Sequence, residues 1–292
     1  MRRLEGLLDT VEPLLLRLNQ TLLPREPDWD AVAFRWRRRS NALGSVGELQ
    51  AVARPVAPSL ADLQNIDEPK RLVEQNTRQF VRGQPANNVL LTGARGTGKS
   101  SLIKACLSAF KDEGLRLIEV DKDQLVDLPE LIEWVAGRPE RFIVYCDDLS
   151  FEQGEGAYKA LKTVLDGSIA GQADNVLVYA TSNRRHLMPE MLSENLQASH
   201  QPDGEIHPGE TSEEKVSLSE RFGLWIAFYP FRQDDYLTVV GHWLRNFGAD
   251  DAAVSEARGD ALRWALERGS RSGRVAWQFA RDWAGRQGLE GG

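Results

Sequence analysis

The stretch NVLLTGARGTGKSSLIKACLSAF, residues 88–110, decides how this chain is read. Its centre, Gly93 to Ser100, matches G-x-x-x-x-G-K-[ST], the P-loop pattern. At this composition a chance match is expected only roughly 0.005 times along the chain. The context agrees, because NVLLT reads as a strand leading in and SLIKACLSAF as a helix leading out. Glycines let the backbone curl so that successive N–H groups point at phosphate oxygens, and the helix N-terminus adds partial positive charge. In such a loop Lys99 bridges the β- and γ-phosphates and the Ser100 hydroxyl ligates Mg²⁺. The candidate nucleotide contacts are therefore Gly93, Ala94, Arg95, Gly96, Thr97, Gly98, Lys99, Ser100 and Ser101.

Outward from this loop, short apolar runs alternate with helical segments. Candidate strands are Asn88–Thr92, Arg116–Val120, Phe142–Cys146, Val176–Ala180 and Leu224–Tyr229, each rich in Val, Ile, Leu or aromatics. Helices fit between them, notably Lys99–Glu113 and Ala157–Asp166. The alternation predicts an α/β core over residues 59–230, with a parallel five-stranded sheet and helices on both faces. Residues 231–292 read as all-helical, with amphipathic segments Asp234–Phe247, Asp251–Arg268 and Val275–Gln287. Residues 1–58 read as a helical N-terminal region. Its leucines recur at helical spacing from Leu4 to Leu22, and a second helix is expected over Asp30–Ser40. That second stretch carries Arg35, Arg37, Arg38 and Arg39 around Trp36, either a phosphate-seeking patch or a solvated helix face. The polar segment 193–214 reads as a long surface loop.

The composition narrows the class further. In 292 residues, 36 basic side chains face 43 acidic ones, a net charge of −7 that argues against indiscriminate nucleic-acid binding. The charge is uneven: nine arginines against seven acids give +2 in residues 1–58 and leave −9 elsewhere, so an anionic partner is expected at the N-terminal part. No run approaches the ~18 apolar residues of a membrane span, and Glu5, Asp9 and Glu12 interrupt any leader-like core. Cys106 and Cys146 sit in apolar segments and read as buried thiols in a reducing compartment. A cytoplasmic protein without membrane contact is expected.

Two further strand ends carry chemistry. FIVYCDD, residues 142–148, is five apolar residues followed by two acids. Asp147 is placed to hold Mg²⁺ with Ser100, and Asp148 to polarise an attacking water, with capping of the next helix as its plain alternative and Glu152 in reserve. VLVYATSN, residues 176–183, ends in Asn183, whose carboxamide could orient that water. Trp225, Trp243, Trp264, Trp277 and Trp283 fall on apolar faces and read as core.

The order of these motifs resembles the AAA+ ATPases over residues 60–285. In that resemblance Asn183 matches sensor 1, and SLSERFG, residues 217–223, resembles the arginine-finger box, with Arg221 reaching the γ-phosphate of a neighbouring subunit. A structural arginine, paired with the acidic loop before it, is the alternative. GSRSGRVA, residues 269–276, resembles sensor 2, with Arg274 preferred over Arg271. LQNID, residues 63–67, resembles the segment flanking adenine, which makes Ile66 a base contact. Arg184, Arg185 and His186 read either as a second trans-acting cluster or as a helix-start surface.

A closer resemblance is to the DUF815 group, itself a predicted AAA+ family without an assigned function. It is carried by FRWRRR at 34–39, NTRQFVRGQPANNVLLTGARGTGKSSLIKA at 76–105, GLRLIEVDK at 114–122 and CDDLSFE at 146–152. YKALKTVLDG at 158–167, ATSNRRHLMPE at 180–190 and EKVSLSERFGLWIAFYPF at 214–231 continue it. The resemblance implies ATP and Mg²⁺ as cofactors, a small helical lid at 231–292, and homo-oligomers, a hexamer or partial ring. Their work would be to load or remodel an unknown protein partner, with a partner bound to nucleic acid as one option. A slow nucleotide switch that binds its partner through residues 1–58 is the other expectation. The stretch Asp121–Pro129 has no aromatic, which argues against polypeptide threading.

Overall fold

The computed structural model describes residues 26–41, 44–150, 156–167, 173–183 and 218–289. Strand β1 covers Ala33–Asn41 and β2 Gly44–Ala51; helix α1, Asp67–Val81, leads to β3, Val89–Gly93. Then follow α2 (Lys99–Phe110), β4 (Leu115–Glu119), α3 (Leu128–Val135), β5 (Arg141–Cys146), α4 (Gly156–Asp166) and β6 (Val176–Ser182). Strand β7, Leu224–Phe228, is followed by α5 (Gln233–Asn246), α6 (Asp251–Glu267) and α7 (Gly273–Arg286).

The strands form one sheet in the order β2-β1-β4-β5-β6-β3-β7. All neighbours are parallel except β1 and β2, which form an antiparallel pair. Strand β3 lies between β6 and β7, with Leu91 opposite both Thr181 and Ile226. Its side chains alternate between two cores. Leu90 joins Val144, Val178, Leu131 and Leu161 on one face, while Val89 and Leu91 join Leu102, Ile143, Tyr179 and Phe80 on the other. Burial on both faces is why these strands are continuous apolar runs.

The expected α/β class and five of its strands are found, each within two residues of its expected bounds. Two features differ. Residues 33–41 are a strand, not part of a helix over 30–40, and with β2 they extend the sheet from five strands to seven. The leucine-rich start, the 193–214 loop, Glu152, Ser217, Arg184, Arg185 and His186 lie outside the described residues.

The physical reason for the strand is period-2 burial. Phe34 and Trp36 point into the core, 1% and 0% exposed, while Arg35 and Arg37 point the other way. Strand β1 lies beside β4 with Arg35 opposite Glu119, and the guanidinium reaches that carboxylate at 2.6 Å. Arg37 pairs with Asp121 at 2.7 Å, and Arg38 with Asp127 at 2.7 Å and Glu130 at 3.1 Å. Arg39 lies 3.8 Å from Glu48. These arginines are neither a solvated helix face nor a free cationic patch, because local carboxylates offset each of them. Asp127 also accepts a hydrogen bond from the buried Trp36 indole at 3.1 Å.

The helices α5, α6 and α7 enclose their own core. Tyr236, Val240 and Leu244 of α5 meet Phe279 and Trp283 of α7, and Ala257, Ala261 and Ala265 give α6 a narrow face for close approach. Asp250 and Ser272 cap α6 and α7 by accepting the N–H groups of Ala253 and Val275.

The hairpin yields a stability contrast. Asp127→Ala strands the Trp36 N–H and leaves Arg38 only its Glu130 partner, and should cost about 2–3 kcal/mol in urea unfolding. Asp121→Ala removes an exposed pair and should stay within about 0.5 kcal/mol of the parent. Equal losses would contradict this account of the hairpin.

Candidate functional site

The loop after β3, the acids after β5 and the tip of β6 all lie at the carboxyl ends of neighbouring strands, where open parallel sheets place ligand sites. Gly93 has φ +123, and a Cβ there would lie 2.0 Å from the Phe228 carbonyl oxygen. Only glycine fits so close to β7. Helix α2 begins at Lys99 behind Gly98 with no side-chain cap, which leaves its first N–H groups directed at the cleft.

Lys99 is 5% exposed. Its ammonium donates to the carbonyls of Gly93 at 2.8 Å and Ala94 at 2.7 Å and to Asn183 Oδ1 at 3.2 Å, which occupies all three N–H donors. Desolvation lowers its pKa, and the nearby charges of Asp147 and Asp148 only partly counter this. A cation stripped of water at an uncapped helix N-terminus suits an incoming anion.

Asp147 lies across the cleft. Its Oδ1 accepts from Ser100 Oγ and from Thr181 Oγ1, both at 2.6 Å. Burial pushes its pKa up, but these hydrogen bonds outweigh burial and hold the carboxyl below its ordinary value. A hydroxyl and an ionised carboxylate in contact are the hard oxygen donors Mg²⁺ takes. Asp148 adopts a left-handed backbone with φ 54. Its Oδ1 accepts from Asn183 Nδ2 at 2.7 Å, and Arg95 lies 3.9 Å from its Oδ2. Asn183 thus joins the ammonium of Lys99 to the carboxylate of Asp148.

A cleft of about 760 Å³ opens over these groups, within the usual range for small-ligand sites. Ser101, Ile66, Leu63 and Ala57 line it from the core, and Val239, Trp243, Arg274 and Trp277 from the C-terminal helices. Ile66 therefore sits where a base contact is expected, and Arg274 faces this cleft. Arg271 instead lines a neighbouring cleft with Leu262 and Leu266, on the other side of Arg95 and Thr97. The helices close directly onto the loop: Gly273 N–H donates to the Gly96 carbonyl at 2.8 Å.

Two tryptophans depart from the expected core positions. Trp277 is 36% exposed on the cleft, and Trp225 is 43% exposed with its indole bonded to Thr92 at 2.9 Å. Trp283 is buried, as expected. Arg221 is joined to Asp166 at the end of α4, Nε to Oδ1 at 2.5 Å. It is not brought to the cleft of its own chain. It precedes β7, whose first residue pairs with the first residue of β3, so roughly 17 Å of strand separates it from the loop.

The family model described as "Protein of unknown function (DUF815)" matches residues 29–287. The chain belongs to this family. The parallel sheet, the glycine-rich loop after β3 and the helix that follows it have the arrangement of an α/β P-loop fold, with a helical C-terminal part. None of the curated proteins matches the chain in sequence. Among solved structures, Thermotoga maritima RuvB, titled a Holliday junction branch migration motor, is 16% identical with a TM-score of 0.47. The alignment covers 76% of this chain and 63% of that one. A chain of an E. coli MS115-1 HORMA:CdnC:Trip13 complex is 14% identical, with a TM-score of 0.47 over 78% of this chain and 97% of that one. A DNA replication initiation factor is 14% identical with a TM-score of 0.45, over 79% of this chain and 63% of that one. The DUF815 chain thus spans less than two thirds of the RuvB structure, and no activity transfers at such identities.

The contact between loop and C-terminal helices can be tested at Gly96, which has φ +73 and whose added Cβ would meet Ser272 Oγ at 2.8 Å. Gly96→Ala should weaken binding of a fluorescent ATP analogue at least ~10-fold, about 1.4 kcal/mol. Unchanged affinity would show that this contact does not shape the cleft.

Proposed function

We propose that this DUF815 protein binds and hydrolyses ATP in the cleft above Lys99, within an assembly whose neighbouring copy supplies Arg221. The observation that carries the proposal is the continuous set of contacts from Ser100 through Asp147 and Thr181 to Asp148, Asn183 and Lys99. It brings to one cleft the groups that phosphoryl transfer to water requires.

In this reading, residues 59–230 act as the motor core and 231–292 as a lid. The uncapped N–H groups of α2 and the Lys99 ammonium receive the phosphates, and Ile66, Trp243 and Trp277 flank the base. Ser100 and Asp147 hold Mg²⁺, which when bound supplies Lewis-acid charge to the phosphate oxygens. Asn183 orients the attacking water, Asp148 accepts its proton, and Arg274 contacts the phosphates from the lid.

Arg221 completes the site of the next copy in a hexamer or partial ring. Its position at the far end of β7 supports this, since it lies a strand's length from its own cleft. Assembly would then exchange the Asp166 contact for a neighbour's phosphate. The cycle would serve to load or remodel a macromolecular partner. The arginines of β1 do not direct that partner toward nucleic acid, because acids within the chain already offset them. Among the described residues, no helix is long and apolar enough to cross a membrane.

Steady-state hydrolysis against protein concentration tests the whole reading. The specific rate should rise steeply with concentration, and Arg221→Ala should lower it roughly 10³-fold or more. Brisk hydrolysis by a monomer would contradict the shared site. Tight ATP binding with negligible turnover, unaffected by Asp148→Asn, would instead make the protein a nucleotide switch.

A further inference from the structure

Two adjacent acids cannot both serve one cleft on a regular strand, because successive side chains point to opposite faces. Asp147 and Asp148 follow the last residue of β5, yet Asp147 bonds Ser100, Asp148 bonds Asn183, and both line one cleft. The chain achieves this by leaving the strand conformation at Asp148, whose φ of 54 lies in the left-handed region that aspartate tolerates better than most residues with a Cβ. Something must hold that corner.

Thr181, on the neighbouring strand β6, is the residue in contact with it. Its hydroxyl donates to Asp147 Oδ1 at 2.6 Å and accepts the Asp148 N–H at 3.0 Å. Its backbone carbonyl accepts the Leu149 N–H at 2.6 Å. Three consecutive residues of the corner are therefore tied to this single threonine, which is 2% exposed. The donor and acceptor roles are complementary. A hydroxyl that gives its proton to the carboxylate presents its lone pairs to the N–H, so one rotamer satisfies both.

We propose that Thr181 is the positioning residue that assigns the two acids their separate tasks. It turns Asp147 toward Ser100 and fixes the bend that brings Asp148 to Asn183. The inference rests on the reading of the cleft as an ATP site, and it predicts that turnover depends on a hydroxyl committed to Asp147 and the Asp148 N–H. A buried β-branched residue at this position would otherwise serve packing alone, and valine would do as well.

The test compares Thr181→Val and Thr181→Ser with the parent in the full chain. Three quantities are read: kcat for ATP, affinity for a fluorescent ATP analogue with Mg²⁺ and with EDTA, and melting temperature. Valine keeps the shape and the backbone carbonyl but removes the hydroxyl. It should lower kcat about 100-fold, the scale of a misplaced reacting group. It should also shrink the Mg²⁺ enhancement of nucleotide affinity about 10-fold, while affinity in EDTA stays within about threefold. Serine restores the hydroxyl and should recover kcat to within about fivefold of the parent. A valine variant with parental kcat and parental Mg²⁺ enhancement overturns the proposal and leaves the ATPase reading intact. A valine variant that loses EDTA affinity, Mg²⁺ enhancement and melting temperature together, with serine no better, shows a structural role and also overturns it. If the parent binds nucleotide without hydrolysing it, the ATPase reading fails, while the Mg²⁺ enhancement in the two variants still decides the role of Thr181. A parent that binds no nucleotide overturns both.

Discussion

A buried cation with an incomplete set of anionic neighbours is the constraint on which the site depends. Lys99 is almost wholly removed from water, and its three N–H groups reach two carbonyls and a carboxamide instead of a carboxylate. Such an arrangement is poorly compensated by itself, because neutral acceptors return only part of what hydration gives an ammonium. Both acids lie close enough to raise its pKa, yet each is held elsewhere, Asp147 by Ser100 and Thr181 and Asp148 by Asn183. The charge therefore meets only neutral acceptors at a helix N-terminus. An anion at that N-terminus would offset the desolvation of Lys99. Asn183 links that ammonium to the carboxylate of Asp148 through one carboxamide.

The second consequence concerns the C-terminal helices. They meet the loop through backbone groups, Gly273 N–H on the Gly96 carbonyl, and their own core is separate from the two cores of the sheet. Asn65 donates to the Asp235 carbonyl, His242 lies 3.4 Å from Asp62, and Phe231 packs against both a sheet core and the helical core, so the two parts are joined at several points. The cleft-lining side chains Val239, Trp243 and Trp277 and the cation Arg274 belong to the helical part, whereas Ile66 and the loop belong to the sheet. A ligand in the cleft touches both and so bears on their relative position.

The sheet core was legible in the sequence because its strands are buried on both faces. Five apolar runs with glycine or acids at their ends leave few other readings, and the P-loop anchored the order. The β1–β2 hairpin was not legible for a physical reason. Its period-2 signal rests on Phe34 and Trp36, while the arginines between them satisfied an amphipathic helix equally well. What holds Arg35, Arg37 and Arg38 in the strand is carboxylates more than eighty positions away, on β4 and the segment after it. The site divides in the same way. Lys99, Ser100, Asp147, Asp148 and Asn183 could be named from spacing, and the structure brings them together. Thr181 could not, because a threonine in a buried strand is ordinary and only its two hydrogen bonds distinguish it. Trp277 was misread because helical periodicity places it beside a core face, whereas the cleft interrupts that face.

The most direct test of the central claim is calorimetric titration of Mg-ATP into the full chain and into Lys99→Ala. If the buried ammonium is the anchor of the site, the parent binds one nucleotide per chain. The substitution should then weaken that binding by at least ~100-fold, about 2.7 kcal/mol. Equal affinity in the two proteins, or no binding heat in the parent at millimolar nucleotide, would contradict the account.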